Sequence, residues 1–317
     1  MTPGIGNTVA AAIAAGPHRM TVGLRPLPLA QWIDDSGDVA QQLRERAVLL
    51  RERSDVVRAL PGCEAAQREV LALLIDHLRA HFPERYAFSA AGEPARITVK
   101  ATGQTLSLDV SGNDHAHAGN DRNAVAMHIA GHLVAEDLCL LQADGEGKYR
   151  LHAAALCFPT RWKLADKLGQ ALMAIHAPVP GYARAVGVAT DRVMSALDPA
   201  RPLWRQNWSL LDSPTLYQPE RLELQQALTA DDLGRRLWMR CERQTLRRLP
   251  QSGAVLFGIR IQQCTLDALC REPGAAARLL SQLETMPSAL KAYKGLDQID
   301  AILCDFLRAA SRVSIDG

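Results

Sequence analysis

Residues 236–264 read "RLWMRCERQTLRRLPQSGAVLFGIRIQQC". Two long runs of β-type residues flank the turn PQSG, where Pro and Gly supply the chemistry of a hairpin connection. At period two, one face of the first run carries Leu237, Met239, Cys241, Arg243 and Thr245. The other carries Trp238, Arg240, Glu242, Gln244 and Leu246. Both faces mix large apolar groups with charge, so the strand is expected to be covered on both sides, with Glu242, Arg240, Arg243 and Arg260 pairing inside. Such a network is either a functional site or a structural set of ion pairs.

Working outward, "PLWRQNWSLL" (202–211) is a third strand, and "LCLLQA" (138–143) and "KYRLHAAALCF" (148–158) form a second hairpin across DGEG. Helical patterns fill 160–175 and 183–197. A hairpin, a helical block and three further strands predict an α+β fold, with one five-stranded antiparallel sheet carrying a helical face. Before it, 36–82 read as helix, "ARITVK" and "TLSLDV" as a small hairpin, 111–121 as a loop and 122–136 as a short helix. After it, 265–313 return to helix. The organisation expected is a frayed terminus (1–20), a helical segment with a small hairpin (21–135), a sheet core (136–264) and C-terminal helices (265–317).

The 317 residues are 48% apolar and 22% charged with net charge +2, a globular composition without a basic patch for nucleic acid. No apolar run reaches the length of a membrane span, and the start lacks the basic flank of a signal peptide. Seven scattered cysteines without a CxxC pair argue for free thiols in a reducing compartment, hence the cytoplasm, and against a zinc or iron–sulfur cage.

Four histidines, His115, His117, His128 and His132, fall within a short span, and the last two are spaced i, i+4. The intervening "HIAGH" lacks the glutamate of a zinc-hydrolase motif, so a solvated loop beside a helix is the expectation. His176 stands between "QALMAI" and "APVPGY", where two prolines and Gly181 stiffen the turn. It reads either as a core histidine bonded to a carbonyl or as a rigid metal ligand. Arg161, Trp162, Lys163 and Lys167 precede it, a set suited to a planar ligand with carboxylate arms, as haem is. Asn207, between Trp204 and Trp208, either orients a ligand or caps a strand end. Cys157 is an alternative thiolate ligand.

Five blocks taken together carry a resemblance. In order they are "HRMTVGLRPLPLAQWI", "FPTRWKLADKLGQALMAIHAPVPGY", "LWRQNWSLLDSPTLYQP", "ERQTLRRLPQSGAVLFGIRI" and "ALKAYKGL". Over about residues 18–313 the chain resembles the haem-dependent oxidative N-demethylase α-subunit family. The resemblance implies haem b in a PAS-like domain and NADPH-dependent oxidation of dimethylamine with O₂. It also implies FMN, 2Fe-2S and tetrahydrofolate sites on partner subunits of flavin and ferredoxin type. By its place in the helical block, His176 is the implied proximal iron ligand, with Arg161, Trp162, Lys163 and Tyr182 around the cofactor. Asn207, Glu242, Arg243, Thr245 and Arg260 are the candidates for polarising O₂ and holding a small ammonium. The rival reading is a haem PAS-type gas or redox sensor. Two departures stand out: Ile261-Gln262 replace the family's Thr-Tyr after FGIR, and "GNDHAHAGNDRN" replaces a shorter acidic linker.

Overall fold

The computed structural model describes residues 9–110, 121–220 and 228–313. In chain order the strands are β1 (Arg25–Pro26), β2 (Val57–Ala59), β3 (Tyr86–Phe88), β4 (Arg96–Val99), β5 (Gln104–Ser107), β6 (Asp137–Ala143), β7 (Tyr149–Ala155), β8 (Leu203–Leu211), β9 (Trp238–Arg248) and β10 (Val255–Thr265). The helices are α1 (Val39–Glu52), α2 (Glu64–His81), α3 (Val125–Leu133), α4 (Leu172–Ile175), α5 (Val188–Ala196), α6 (Leu233–Arg236), α7 (Leu266–Cys270), α8 (Ala275–Thr285), α9 (Ser288–Lys294) and α10 (Asp300–Val313).

The fold is α+β, but its main antiparallel sheet has seven strands, not five, in the order β1-β8-β9-β10-β6-β7-β2. The five expected strands form its unbroken centre. The additions are edge pairs of two and three residues, β1 on β8 and β2 on β7, too short to show alternation in a sequence. The small hairpin gains a third strand, in the order β3-β4-β5.

A second difference lies at 160–175, where helix was expected and only α4 forms. The backbone before it is committed to β7 instead: Gly169 N–H donates to Leu151 O (2.7 Å) and Leu151 N–H to Gln170 O (3.1 Å). Gly169 (φ 80°) and Arg161 (φ 59°) are in the left-handed region, which ends helical propagation. Tertiary hydrogen bonds thus override a helical apolar spacing.

Three buried apolar clusters surround the sheet. One joins it to α1, α2 and α3 through residues such as Leu50, Leu74, Ile129, Leu138 and Leu256. A second joins the far end of β8–β10 to α7–α10 through Leu210, Met239, Leu279 and Leu303. The third packs Leu141, Leu151, Leu246 and Val255 of the sheet against Leu164 and Leu172 of the 158–182 segment and Met194 of α5. Each such side chain contributes roughly 1.5–3 kcal/mol by leaving water.

Register decides what shares a face. Glu242 pairs with Asn207 and Ile261, and Gln244 with Arg205, so these lie on one face. Arg243 pairs with Arg260 and Gln206, and Thr245 with Gly258 and Trp204, on the other. Gly258 is required there, because a Cβ would lie 2.7 Å from Thr245 Oγ1.

Candidate functional site

The segment bearing His176 is anchored where β7 ends. Asp137 accepts from Cys157 N–H (2.7 Å) and Phe158 N–H (3.0 Å) while pairing with Arg46 of α1 at 2.6 Å. Arg240, fully buried, donates to Phe158 O (2.8 Å) and Leu216 O (2.9 Å), clamping the start of the segment to the loop after β8. Burial pulls the Arg240 pKa down to about 10, against the pull of Glu242 and Asp137. Arg161 pairs with Asp212 (2.9 Å), and Lys163 with Glu220 at the surface, so both side chains engage the 212–220 loop. Trp162 packs in the apolar cluster beside α4 and carries the Lys167 ammonium 4.7 Å above its ring.

His176 follows directly after α4. Its Nδ1 lies 2.8 Å from Leu172 O, and its ring stacks on Tyr182 at 4.4 Å and 9°. A carbonyl accepts only, so Nδ1 carries the proton and Nε2 is the nitrogen left to face a metal. Burial holds the His176 pKa below its ordinary value, and Lys167 and Arg205 oppose its protonation further. The ring is therefore neutral, fixed in direction, and in the tautomer a metal ligand requires. Tyr182 donates to Thr190 Oγ1 (3.2 Å) and opens one turn of π-helix, Ala183–Gly187.

On the β9 face that carries it, Glu242 accepts three hydrogen bonds. Thr160 Oγ1 donates to Oε1 (2.7 Å), and Gln244 Nε2 (2.7 Å) and Asn207 Nδ2 (3.3 Å) donate to Oε2. Around this one carboxylate stand cations whose pKa values burial lowers: Lys167, Arg205, and Lys294 of α9, which falls to about 8. Each is partly restored by Glu242. Lys294 donates to Trp208 O (2.7 Å) and lies over the Trp208 ring. Three half-buried cations thus share Glu242 as an acidic neighbour.

The other candidates face elsewhere. Arg243 donates to Trp32 O (3.3 Å) and Gln31 O (2.5 Å) and lies over Trp204. Arg260 donates to Gln42, to Ile261 O (2.7 Å) and to Ser36 O (3.0 Å), with Glu136 as its buried acidic neighbour. Thr245 is buried against Gly258. The structure therefore brings Asn207 together with Glu242 and separates Arg243, Thr245 and Arg260 from them across the sheet. The sequence departures divide likewise: Ile261 is fully buried opposite Glu242, whereas Gln262 donates to Asp34 (2.9 Å) and Ser36 on the far face.

His115 and His117 lie outside the described residues. His128 and His132 lie on α3, the short helix expected there, where both are buried with rings 5.0 Å apart. Among the described residues no three His, Cys, Asp or Glu side chains converge as a metal cage. Cys157 packs with the α1–α3 cluster, and burial pushes its thiol up to about 12, away from a thiolate. Sequence reasoning left Thr160, Arg205 and Lys294 out of the site. Arg205 was legible by its alternation with Asn207 on one strand; Thr160 and Lys294 arrive through tertiary contacts alone.

Fold and geometry together define an α+β sheet protein, one face of which is covered by a layer bearing an oriented histidine. A family model described as "haem-dependent oxidative N-demethylase, alpha subunit-like" matches residues 23–304, and the chain belongs to that family. The family is one of haem-dependent enzymes of oxidative N-demethylation, and an alpha subunit implies further subunits. No helix among the described residues is long and apolar enough to cross a membrane.

Proposed function

We propose that this chain is the haem b-holding catalytic subunit of an enzyme that oxidises a small secondary amine such as dimethylamine with O₂. Residues 136–264 would be a PAS-like haem core, flanked in sequence by the segments 21–135 and 265–317. The five-strand centre of the sheet, with its helical block inserted between the second and third of those strands in sequence, supports this reading.

The residues present fit haem on two counts. His176 is a neutral imidazole locked to the carbonyl of Leu172, whose side chain packs in one apolar cluster with Leu164, Leu246 and Val255. The half-buried cations Lys167, Arg205 and Lys294, which share Glu242 as an acidic neighbour, could also receive haem's carboxylate arms. In this reading His176 would ligate the iron, with Trp162, Tyr182, Lys167 and Arg205 as the residues that would help hold the cofactor. Arg161 and Lys163 act indirectly, by pinning the segment to the 212–220 loop. When bound, the haem supplies a redox-active iron for oxidation of the amine.

The chain's own contribution is binding and proton management. The Glu242 carboxylate would pair with the substrate ammonium and take its proton, which frees the nitrogen lone pair for oxidation. Asn207 and Gln244 hold the carboxylate in place. The net reaction takes up amine, O₂, two electrons and two protons, and yields primary amine, formaldehyde and water. The electrons would come from NADPH through partner subunits carrying FMN and a 2Fe-2S centre, with tetrahydrofolate bound on a partner to receive the formaldehyde unit.

The single observation that carries the reading is the Nδ1 lock on His176. Purified protein should show a haem Soret band that His176→Ala abolishes; an unchanged band in that variant overturns the ligand assignment. Dimethylammonium should shift the band, and Glu242→Gln should remove the shift. A protein that takes up CO or NO but answers to no small amine is a sensor instead.

A further inference from the structure

We propose that Thr160 is a positioning residue: its hydroxyl, oriented by Arg240, holds the Glu242 carboxylate as a fixed acceptor for the substrate ammonium. This rests on the reading of Glu242 as the ammonium site. Arg240 Nε lies 3.1 Å from Thr160 Oγ1, and a guanidinium donates only. Thr160 must therefore accept from Arg240, which leaves its single hydrogen to point at Glu242 Oε1, 2.7 Å away. Arg240 thus occupies the acceptor side of the hydroxyl and sets its donor direction. Gln244 and Asn207 both serve Oε2, so among the described residues Thr160 is the donor that holds Oε1.

The surroundings hold this relay rigidly. The same Arg240 guanidinium donates to Phe158 O and Leu216 O, which fixes the backbone on either side of the site. Thr160 forms a β-bridge with Gln218, and Arg161 N–H donates to Gln218 O at 2.6 Å. Arg161, next in the chain, has φ 59°, a left-handed conformation that a non-glycine residue holds only where its contacts over-determine it. A strained, doubly clamped loop thus delivers one hydroxyl to one carboxylate oxygen. The carboxylate is then presented in a single geometry before substrate arrives, which spares the cost of ordering it on binding.

The test uses haem-loaded protein and dimethylammonium, with binding followed by calorimetry and by the Soret shift. Thr160→Val and Thr160→Ala should weaken binding about tenfold or more, the size expected for losing a hydrogen bond to a charged group. Thr160→Ser should restore binding to within about threefold of the parent, since it keeps the hydroxyl. Haem content should be unchanged in all three. In the double variant Thr160→Ala/Glu242→Gln, affinity should be no lower than in Glu242→Gln alone, because the hydroxyl acts only through the carboxylate. If Glu242→Gln loses binding while Thr160→Val and Thr160→Ala match the parent, or if Thr160→Ser fails to restore it, the positioning role is overturned and the ammonium site stands. If Glu242→Gln itself binds like the parent, the ammonium site has failed.

Discussion

The two faces of β9 carry similar amounts of charge and use it differently. On the face toward α1 and the 25–37 segment, Arg243 and Arg260 spend their donors mainly on backbone carbonyls, of Gln31, Trp32, Ser36 and Ile261. Their acid neighbour Glu136 is fully buried, and burial raises its carboxyl pKa. On the other face, Glu242 collects neutral donors from Thr160, Asn207 and Gln244, while the half-buried cations Lys167, Arg205 and Lys294 are partly desolvated near it. A guanidinium saturated by carbonyls ties chain segments together. A carboxylate held by neutral donors keeps its charge for something else.

That contrast breaks most visibly at the Arg46–Asp137 pair, where both side chains are fully buried. Asp137 also receives the Cys157 and Phe158 amides that launch the His176 segment. Arg46→Met leaves that carboxylate without its cation and should cost about 3–5 kcal/mol, read as a lower urea midpoint. A loss under about 1 kcal/mol would show that the pair is dispensable, and with it its role in tethering the start of the His176 segment.

A crossover between the faces gives a smaller and more specific effect. Arg260→Met should destabilise by about 2–4 kcal/mol, by stranding carbonyls and Gln42, and should leave dimethylammonium affinity of the folded protein unchanged. Glu242→Gln should reverse the emphasis, losing the amine response at the smaller stability cost of the two variants. Equal effects of the two variants on both measurements would erase the distinction.

The sequence showed the five central strands because alternation and hairpin turns are local signals, and β6–β10 fall where the patterns of 138–158 and 202–264 put them. It also singled out His176, whose prolines and small neighbours advertise a rigid position. It did not assign faces, because Glu242 and Arg243 sit on a strand covered on both sides, where period two separates the residues without saying which set looks at what. Register supplied the answer through Asn207 and Gly258. Thr160 was invisible for a different reason: it lies 82 positions from Glu242 and meets it only because Arg240 and Gln218 pin its loop. The helix misread over 160–175 has the same origin, since Leu151 holds the backbone that its apolar spacing suggested would coil.

Acid sharpens the comparison with the smallest expected change. His77 packs edge-on to Trp32 in the α1–α3 cluster, and burial, helped by His81 and Arg247, lowers its pKa to about 4. The His176 pKa is lowered too, again by burial first. In both cases the unfolded chain binds a proton near pH 6.5 that the folded protein refuses, so stability is full above that pH and falls as acid is added. For His77 the loss continues to about pH 4 and should reach about 1 kcal/mol at pH 5.5, where His77→Phe should recover it. The two rings then part company on loading with haem. His77 has no tie to the cofactor, so its share of the acid slope should be identical in haem-free and haem-loaded protein. If His176 ligates the iron as proposed, its protonation would compete with ligation, so acid should release haem before it unfolds the chain, read as loss of the Soret band at a pH where the urea midpoint is still high. Coincident loss of Soret band and fold at every pH, with the same profile in His77→Phe, would mean that the two faces do not titrate separately.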